Sequence, residues 1–285
     1  MLSLHTNNAA LSAQNAISKT QSNLSTSMTR LSTGYRINSA MDDAAGLQIA
    51  SRLKAQTSGM AVAMRNTQNS TAMLQTAEGA LDEVSNMLIR MKDLATQAAD
   101  TSSSIADKES MQSEYDALGT ELGNVLKNTK FGGETLIVGG TIAAAMKFQI
   151  GADATEVMNI TMATDVTAIA TDVGAATASY AAGAAGTEIS TAADATTAIT
   201  DLTTALASVN KVRSSLGAAA NRLEHVNNNL SNISTNTKQA TGLIMDVDFA
   251  TESANMTSSQ MLLQAGTAML KQSNSMSSMV MSLLQ

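Results

Sequence analysis

The sequence predicts a mainly α-helical fold: an elongated antiparallel coiled-coil helical bundle built from both chain ends, with a small β-hairpin region in the middle. Apolar residues recur in strict heptads in both halves of the 285-residue chain, as they do in helices packed along a seam. Both ends are amphipathic yet almost uncharged: Met1 to Thr29 contains only Lys19, and Thr251 to Gln285 only Glu252 and Lys271. Pro is absent, aromatics make up 2% of residues, and 19 Met fit the irregular gaps of a helix seam better than a large compact core.

Leu4, Leu11, Ile17, Leu24, Met28 and Leu31 form one stripe that stops before Thr33-Gly34, where Gly can take the left-handed position after a helix. This predicts a first helix over about residues 3 to 33. Tyr35 to Asn38 reads as a short connector, and Ser39 with Asp42 has the S-x-x-D spacing of a helix start. A seven-residue series then runs Leu53, Met60, Thr67, Leu74, Leu81, Leu88, Ala95, with Ala63, Ala77, Val84, Met91 and Ala98 three positions later. Beyond a break at Thr101 to Ala106, Met111, Tyr115, Leu118, Leu122 and Val125 continue the spacing in a shorter helix.

The period then changes to two. Met146, Phe148 and Ile150 alternate, and Val157, Ile160 and Met162 follow after Gly151-Ala-Asp-Ala, which predicts a small hairpin. Residues 163 to 197 are rich in Ala, Thr and Asp with poor periodicity, and read as a variable surface segment. The heptads resume with Leu202, Val209, Leu216, Leu223, Leu230 and Ile244, accompanied by Ala205, Val212, Ala219, Val226, Ile233 and Ala240. A last helix has doubled seam positions at Leu262/Leu263, Met269/Leu270, Met276 and Leu283/Leu284.

Size rules out a compact monomer. A helix from about 40 to 98 is roughly 90 Å long at 1.5 Å per residue, against about 50 Å for a compact globule of this length, so the expected shape is a rod. The wet faces of the two ends are built from Ser, Thr, Asn and Gln, which cost far less to desolvate than Lys or Glu once hydrogen-bonded. Such helices suit a site surrounded by other helices. Paired only with each other, their apolar side chains cover too little surface to order about 70 residues. Neighbouring copies must supply the rest, so the ends are expected to be mobile in the free chain and helical on assembly.

Composition excludes several classes. With no Cys there is no disulfide framework, thiol nucleophile or thiolate metal site, and the net charge of −7 provides no basic footprint for nucleic acid. No run of 18 apolar residues suits a membrane span, and Met1 to Ala10 has neither a basic n-region nor an apolar h-region. The expectation is a cytoplasmic chain, or one that leaves the cell without a cleaved signal. His5 and His225 are the only histidines and lack metalloprotease spacing, and the Ser and Thr residues have no accompanying base. The tight acidic groups are Asp42-Asp43 and Asp246, Asp248 and Glu252. A calcium loop would need a third acid and Gly where Ala250 and Thr251 stand, and Glu where Thr257 stands. Helix-start charge is the simpler reading of both groups, and neither a cofactor, a metal nor an enzymatic activity is expected.

Arg30-Leu-Ser-Thr-Gly-Tyr-Arg-Ile-Asn-Ser-Ala-Met-Asp-Asp-Ala-Ala-Gly-Leu-Gln-Ile-Ala50 closely resembles the N-terminal signature of bacterial flagellins. Asn221-Arg-Leu, Asp246-Val-Asp-Phe-Ala-Thr-Glu252, Gln264-Ala-Gly-Thr267 and the closing Ser282-Leu-Leu-Gln285 resemble the C-terminal one, with Gln285 where Arg is frequent. The resemblance covers about residues 1 to 162 and 198 to 285. The short middle, the Met content and the Met-Leu-Ser start are similar to those of lateral, swarming-type flagellins.

The resemblance implies a structural subunit exported unfolded through the flagellar type III system, which polymerises with copies of itself into the extracellular filament used for motility. Its implied partners are a flagellar export chaperone, the filament cap and hook-associated proteins. The implied divisions are an N-terminal D0 helix (1–33), a spoke connector (34–46), N-terminal D1 helices (47–130), a D1 hairpin region (131–162), the short variable segment (163–197), a C-terminal D1 helix (198–245) and a C-terminal D0 helix (246–285). On this reading Leu4, Leu11, Ile17, Leu24, Leu31, Leu263, Leu270 and Leu284 are the D0 polymerisation seams, and Leu74, Leu81, Leu88, Leu216, Leu223 and Leu230 the D1 seam.

The resemblance also places Arg90, Leu94 and Glu114 on the surface that the Toll-like receptor for flagellin reads on monomers, with Ile89 where receptor-active members commonly have Gln. Read from the residues alone, Arg90 and Glu114 are solvated helix charges and Leu94 is seam-edge packing. Two other identities fit paired helical segments: a hook–filament junction protein, against which the intact Arg36 to Gly46 run weighs, and a non-flagellar coiled-coil interaction protein, which would normally carry charged faces throughout.

Overall fold

A computed structural model describes residues 7–181 and 185–283, with side chains of the last helix described through Ser275. The described residues form six α-helices and two small antiparallel sheets, a mainly α fold. The chain divides into two compact units: a terminal unit, Met1–Thr57 with Thr235–Gln285, and a seam unit, Ser58–Ser234.

In the terminal unit, α1 (Asn8–Thr33) begins at Asn7, whose side chain accepts a hydrogen bond from the Ala10 N–H. It ends at Gly34, which adopts φ 76° and donates its N–H to the Arg30 carbonyl, the left-handed termination expected from Thr33-Gly34. The second long helix, α2 (Ala44–Ala99), starts later than the Ser39/Asp42 spacing suggested. Asp42 instead holds the preceding turn, accepting from the Asn38 and Ser39 N–H groups, while Asp43 caps the helix by accepting from the Gly46 N–H. The chain re-enters this unit at the end of α5 (Ala192–Met245) and closes with α6 (Phe249–Leu283), antiparallel to α1. Residues 8–33 and 249–283 form a helix pair. Their apolar side chains are only partly covered within the pair.

The core of the seam unit is the heptad seam. Leu74, Leu81, Leu88 and Ala95 of α2 are buried with Leu202, Val209, Leu216 and Leu223 of α5. Met60 and Ala63 form a second cluster with Leu230. Helix α3 (Ile105–Asn128) begins at a capping box in which Ser104 and Asp107 satisfy each other's backbone N–H, and it adds Met111, Tyr115, Leu122 and Leu126 to the core. Between α5 and α2, Arg213 bonds Asp82 at 2.8 Å and Glu78 at 3.5 Å.

Strands β1 (Lys130–Phe131) and β2 (Glu134–Thr135) pair around Gly132 and Gly133, both at positive φ as a tight two-residue hairpin turn requires. The expected longer hairpin is β3 (Ala145–Gln149) with β4 (Val157–Thr161), in the register Met146↔Ile160 and Phe148↔Met158. The buried face of β4 carries Met158 and Ile160, followed by Met162, so Val157 belongs to the opposite face from the one assigned by spacing. The loop of this hairpin lies on α2: a Cβ added at Gly59 would meet the Ala152 Cβ at 2.8 Å.

The stretch read as variable surface, 163–197, contributes to the core. Helix α4 (Ala163–Ala176) buries Val166, Ile169, Val173 and Ala176, and Ile189 is buried beyond it. Helix α5 starts at Ala192, six residues before the expected 198, where Thr191 and Asp194 bond across the first turn. The apolar residues of α4 are separated by Ala and Thr, so the pattern stands out weakly in sequence although three large side chains face inward.

Candidate assembly surface

The α1–α6 pair combines a self-satisfied polar face with an apolar stripe that is only partly covered. The hydroxyls of Thr20, Thr26, Thr29 and Thr33 each donate to the carbonyl four residues earlier, at 2.9–3.0 Å. These four hydroxyls therefore need few bonds from water. On the other side of the balance, Ser27 is the only buried residue of α1.

Of the predicted polymerisation residues, Ile17, Leu24, Leu31, Leu263 and Leu270 are half-buried, and Leu11 is exposed at 53%. Leu4 and Leu284 lie outside the residues whose side chains are described. Met28, Leu262 and Met269 are exposed as well. The two helices lie close together at Gly266, where α6 has no side chain: a Cβ built there would lie 2.9 Å from Ile17 Cγ1. At one end of the pair Asn7 Nδ2 donates to the Ser273 carbonyl at 3.2 Å. Toward the other end Arg30 and Glu252 form an ion pair at 3.8 Å, with Glu252 only 8% exposed.

The connector is fastened by backbone. Tyr35 and Asp246 form an antiparallel bridge, the Arg36 N–H donates to the Met245 carbonyl at 2.6 Å, and the Val247 N–H donates to the Gly34 carbonyl at 3.0 Å. The Arg36 guanidinium adds a bond to the Ile244 carbonyl at 2.9 Å, and Ile37 is buried. The acidic groups beside it act as caps. Bonds from the Ser39 and then the Asn38 N–H groups hold the Asp42 carboxyl below its usual range. The Thr251 hydroxyl and then the Ala250 N–H do the same for Asp248 at the start of α6. Among the described residues no three His, Cys, Asp or Glu side chains are grouped to hold a metal ion, and no helix is long and apolar enough to cross a membrane.

In the seam unit, Leu74, Leu81, Leu88, Leu216, Leu223 and Leu230 are all buried. Arg90 on α2 and Glu114 on α3 are paired by two bonds of 2.8 and 2.6 Å, both roughly half-exposed. Leu94 is buried in the core of this unit at 3% exposure, and Ile89 is exposed.

One polar network was not anticipated. The Gln112 amide group donates to Asp116 and Glu188, both at 2.9 Å, and its carbonyl oxygen accepts from the Ile189 N–H. Asp116 also accepts from the Ser179 hydroxyl and the Gly186 N–H, and Glu188 accepts from the Ala178 N–H. Beside this network the buried Tyr115 hydroxyl donates to the Ala176 carbonyl at 2.6 Å, and burial, followed by the charges of Glu188, Asp201 and Asp116, raises the phenol well above its ordinary value. The only local sign is the Gln112–Asp116 spacing on α3; the partners lie more than 60 residues away.

Residues 4–141 match the family model described as the bacterial flagellin N-terminal helical region, and residues 199–284 that of the C-terminal helical region. The chain is 46% identical over 161 residues to Flagellin C of Vibrio cholerae, covering 56% of this chain and 42% of that protein. It is 45% identical over 167 residues to Polar flagellin F of Vibrio parahaemolyticus, covering 58% and 44%. The match thus spans less than half the length of either relative. Among solved structures, a putative flagellar hook-associated protein from Vibrio parahaemolyticus shares the fold at a TM-score of 0.57 and 16% identity, over 72% of this chain and 99% of that one.

Proposed function

The chain belongs to the bacterial flagellin family, and from that premise we propose that it is a structural subunit that polymerises with itself into a flagellar filament used for motility. The observation that carries this reading is the α1–α6 pair, whose apolar stripe is half-covered while its uncharged polar face bonds to its own backbone. A surface of that kind gains from packing against copies of itself and has few charges to desolvate.

On this reading Leu4, Leu11, Ile17, Leu24, Leu31, Leu263, Leu270 and Leu284 pack between subunits in D0. Leu74, Leu81, Leu88, Leu216, Leu223 and Leu230 hold each D1 subunit rigid. The subunit leaves the cell unfolded through the flagellar type III route, held until then by an export chaperone, and adds to an extracellular filament between hook-associated proteins and the cap. Its mechanism is mechanical and requires neither a catalytic residue nor a cofactor. The intact Arg36 to Gly46 run favours the filament over a junction protein, and the nearly neutral ends disfavour a non-flagellar coiled-coil adaptor. As a monomer it presents Arg90 and Glu114 to the innate receptor for flagellin, with Leu94 supporting their helices from below.

Purified chain seeded with short filament fragments should grow long uniform filaments by electron microscopy. Soluble oligomers of fixed size, or no growth from seeds, would overturn the proposal.

A further inference from the structure

We propose that the terminal unit carries a set of oxidation-sensitive methionines, headed by Met41, whose conversion to the sulfoxide by a peroxide blocks self-association of the free chain. The inference rests on the filament reading above. The thioethers divide between the units. In the seam unit Met60, Met91 and Met146 are buried, whereas in the terminal unit Met28, Met41, Met261 and Met269 are exposed, Met41 to 95%.

Met41 projects from a turn whose backbone is fixed. The Asp42 carboxylate accepts from the Asn38 and Ser39 N–H groups, and the Met41 N–H donates to the Ser39 hydroxyl. The sulfur is therefore held in water rather than sheltered by a collapsing loop. A fully exposed Met on an ordered turn is the most accessible thioether in the described part of the chain.

In the reaction the sulfur attacks one oxygen of hydrogen peroxide, so an S–O bond forms as the O–O bond breaks. The thioether loses two electrons and the other oxygen leaves as water. The product carries a strong acceptor oxygen and no donor. Burying it requires a donor, and the Thr26 and Thr29 hydroxyls of α1 already donate to their own helix carbonyls. Oxygen added to Met28, Met261 and Met269, which lie on α1 and α6, therefore opposes the dehydration on which packing of the helix pair depends, and Met41 lies on the turn beside them. Packing also shields the sulfurs, so the free chain is the sensitive form.

The test treats free chain and preformed filament with graded hydrogen peroxide, maps oxidation by peptide mass, and measures the critical concentration for seeded growth. Met41 should gain about 16 Da first, followed by Met28, Met261 and Met269, while Met60 and Met91 stay unmodified. The critical concentration of the oxidised chain should rise about tenfold or more and return after treatment with methionine sulfoxide reductase and a dithiol. Replacing the four residues by Leu should bring the ratio of treated to untreated critical concentrations close to one. Even oxidation of exposed and buried sites, unchanged growth of the oxidised chain, or equal peroxide sensitivity in the Leu variant would each overturn the inference. If untreated chain grows no filament, the filament reading fails and takes the assembly half of this inference with it, while the mass map still decides the site.

Discussion

Arg30 of α1 and Glu252 of α6 pair at 3.8 Å within two helices whose exposed faces are otherwise almost uncharged, and the Glu252 carboxylate is nearly buried. Its position fixes how α1 lies against α6. Sliding one helix by a turn would part the two charges and leave a nearly buried carboxylate unpaired.

Arg30→Ala should therefore harm the pair more than Glu252→Gln, because the first leaves a charge without a partner and the second removes the charge. The expected loss for Arg30→Ala is about 1–3 kcal/mol of local stability. Amide hydrogen exchange along α1 and α6 measures it, and equal protection in both variants would contradict the assignment.

Gly266 permits the close approach of α6 to Ile17. Gly266→Val should push the helices apart and abolish seeded polymerisation while the heptad core, measured by the main thermal unfolding transition, is unchanged. Gly266→Ala is the milder case, since a gain in helix propensity of about 1 kcal/mol partly offsets displacement of Ile17.

Tyr115→Phe removes the donor to the Ala176 carbonyl and should destabilise the seam unit by about 1–3 kcal/mol in denaturant titration. The raised phenol also gives a pH signature. The folded state holds the proton more tightly than the unfolded chain, whose Tyr ionises near the ordinary value of 10.0. The stabilisation is complete below that pH and declines as pH rises beyond it, by at most about 1.4 kcal/mol per pH unit. The Phe variant should lose most of this alkaline dependence and retain the part due to Tyr180, whose phenol burial also raises.

Deleting Thr257 to Gln285 removes most of α6 and leaves the stripe of α1 without its partner. The truncated chain should remain exported and soluble, keep the unfolding transition of the seam unit, and form no polymer by sedimentation. Filaments from it would count against the assembly role of the helix pair.

Arg90→Ala should lower activity in a reporter assay for the innate receptor while changing stability by less than about 1 kcal/mol, because the Arg90–Glu114 pair is half-exposed. Leu94→Ala is expected to act differently: the residue is buried, so loss of about 2–4 kcal/mol should accompany any loss of recognition.

The positions with the strongest sequence signal were those where large aliphatic residues repeat at helical spacing. Leu74, Leu81 and Leu88, and Leu216 and Leu223, could be placed on one seam because a side chain every seventh residue returns to the same face. The end of α1 was legible because Gly34 tolerates the positive φ that stops a helix. The Asn38-to-Asp43 turn was not, since Asp42 and Asp43 are equally good caps and only the backbone path assigns one to the turn and the other to the helix.

What could be read along the chain was periodic and local: which faces are apolar, which ends lack charge, and where backbone must turn. The burial of α4 among Ala and Thr, the bonds from Gln112 to Glu188 and from Tyr115 to Ala176, and the pairing of Arg30 with Glu252 required the folded molecule. Each joins residues tens to hundreds of positions apart, or depends on small side chains whose depth is set by what packs over them. Periodicity fixes a residue's direction from its own helix axis, but the neighbour it meets there is chosen only when the helices come together.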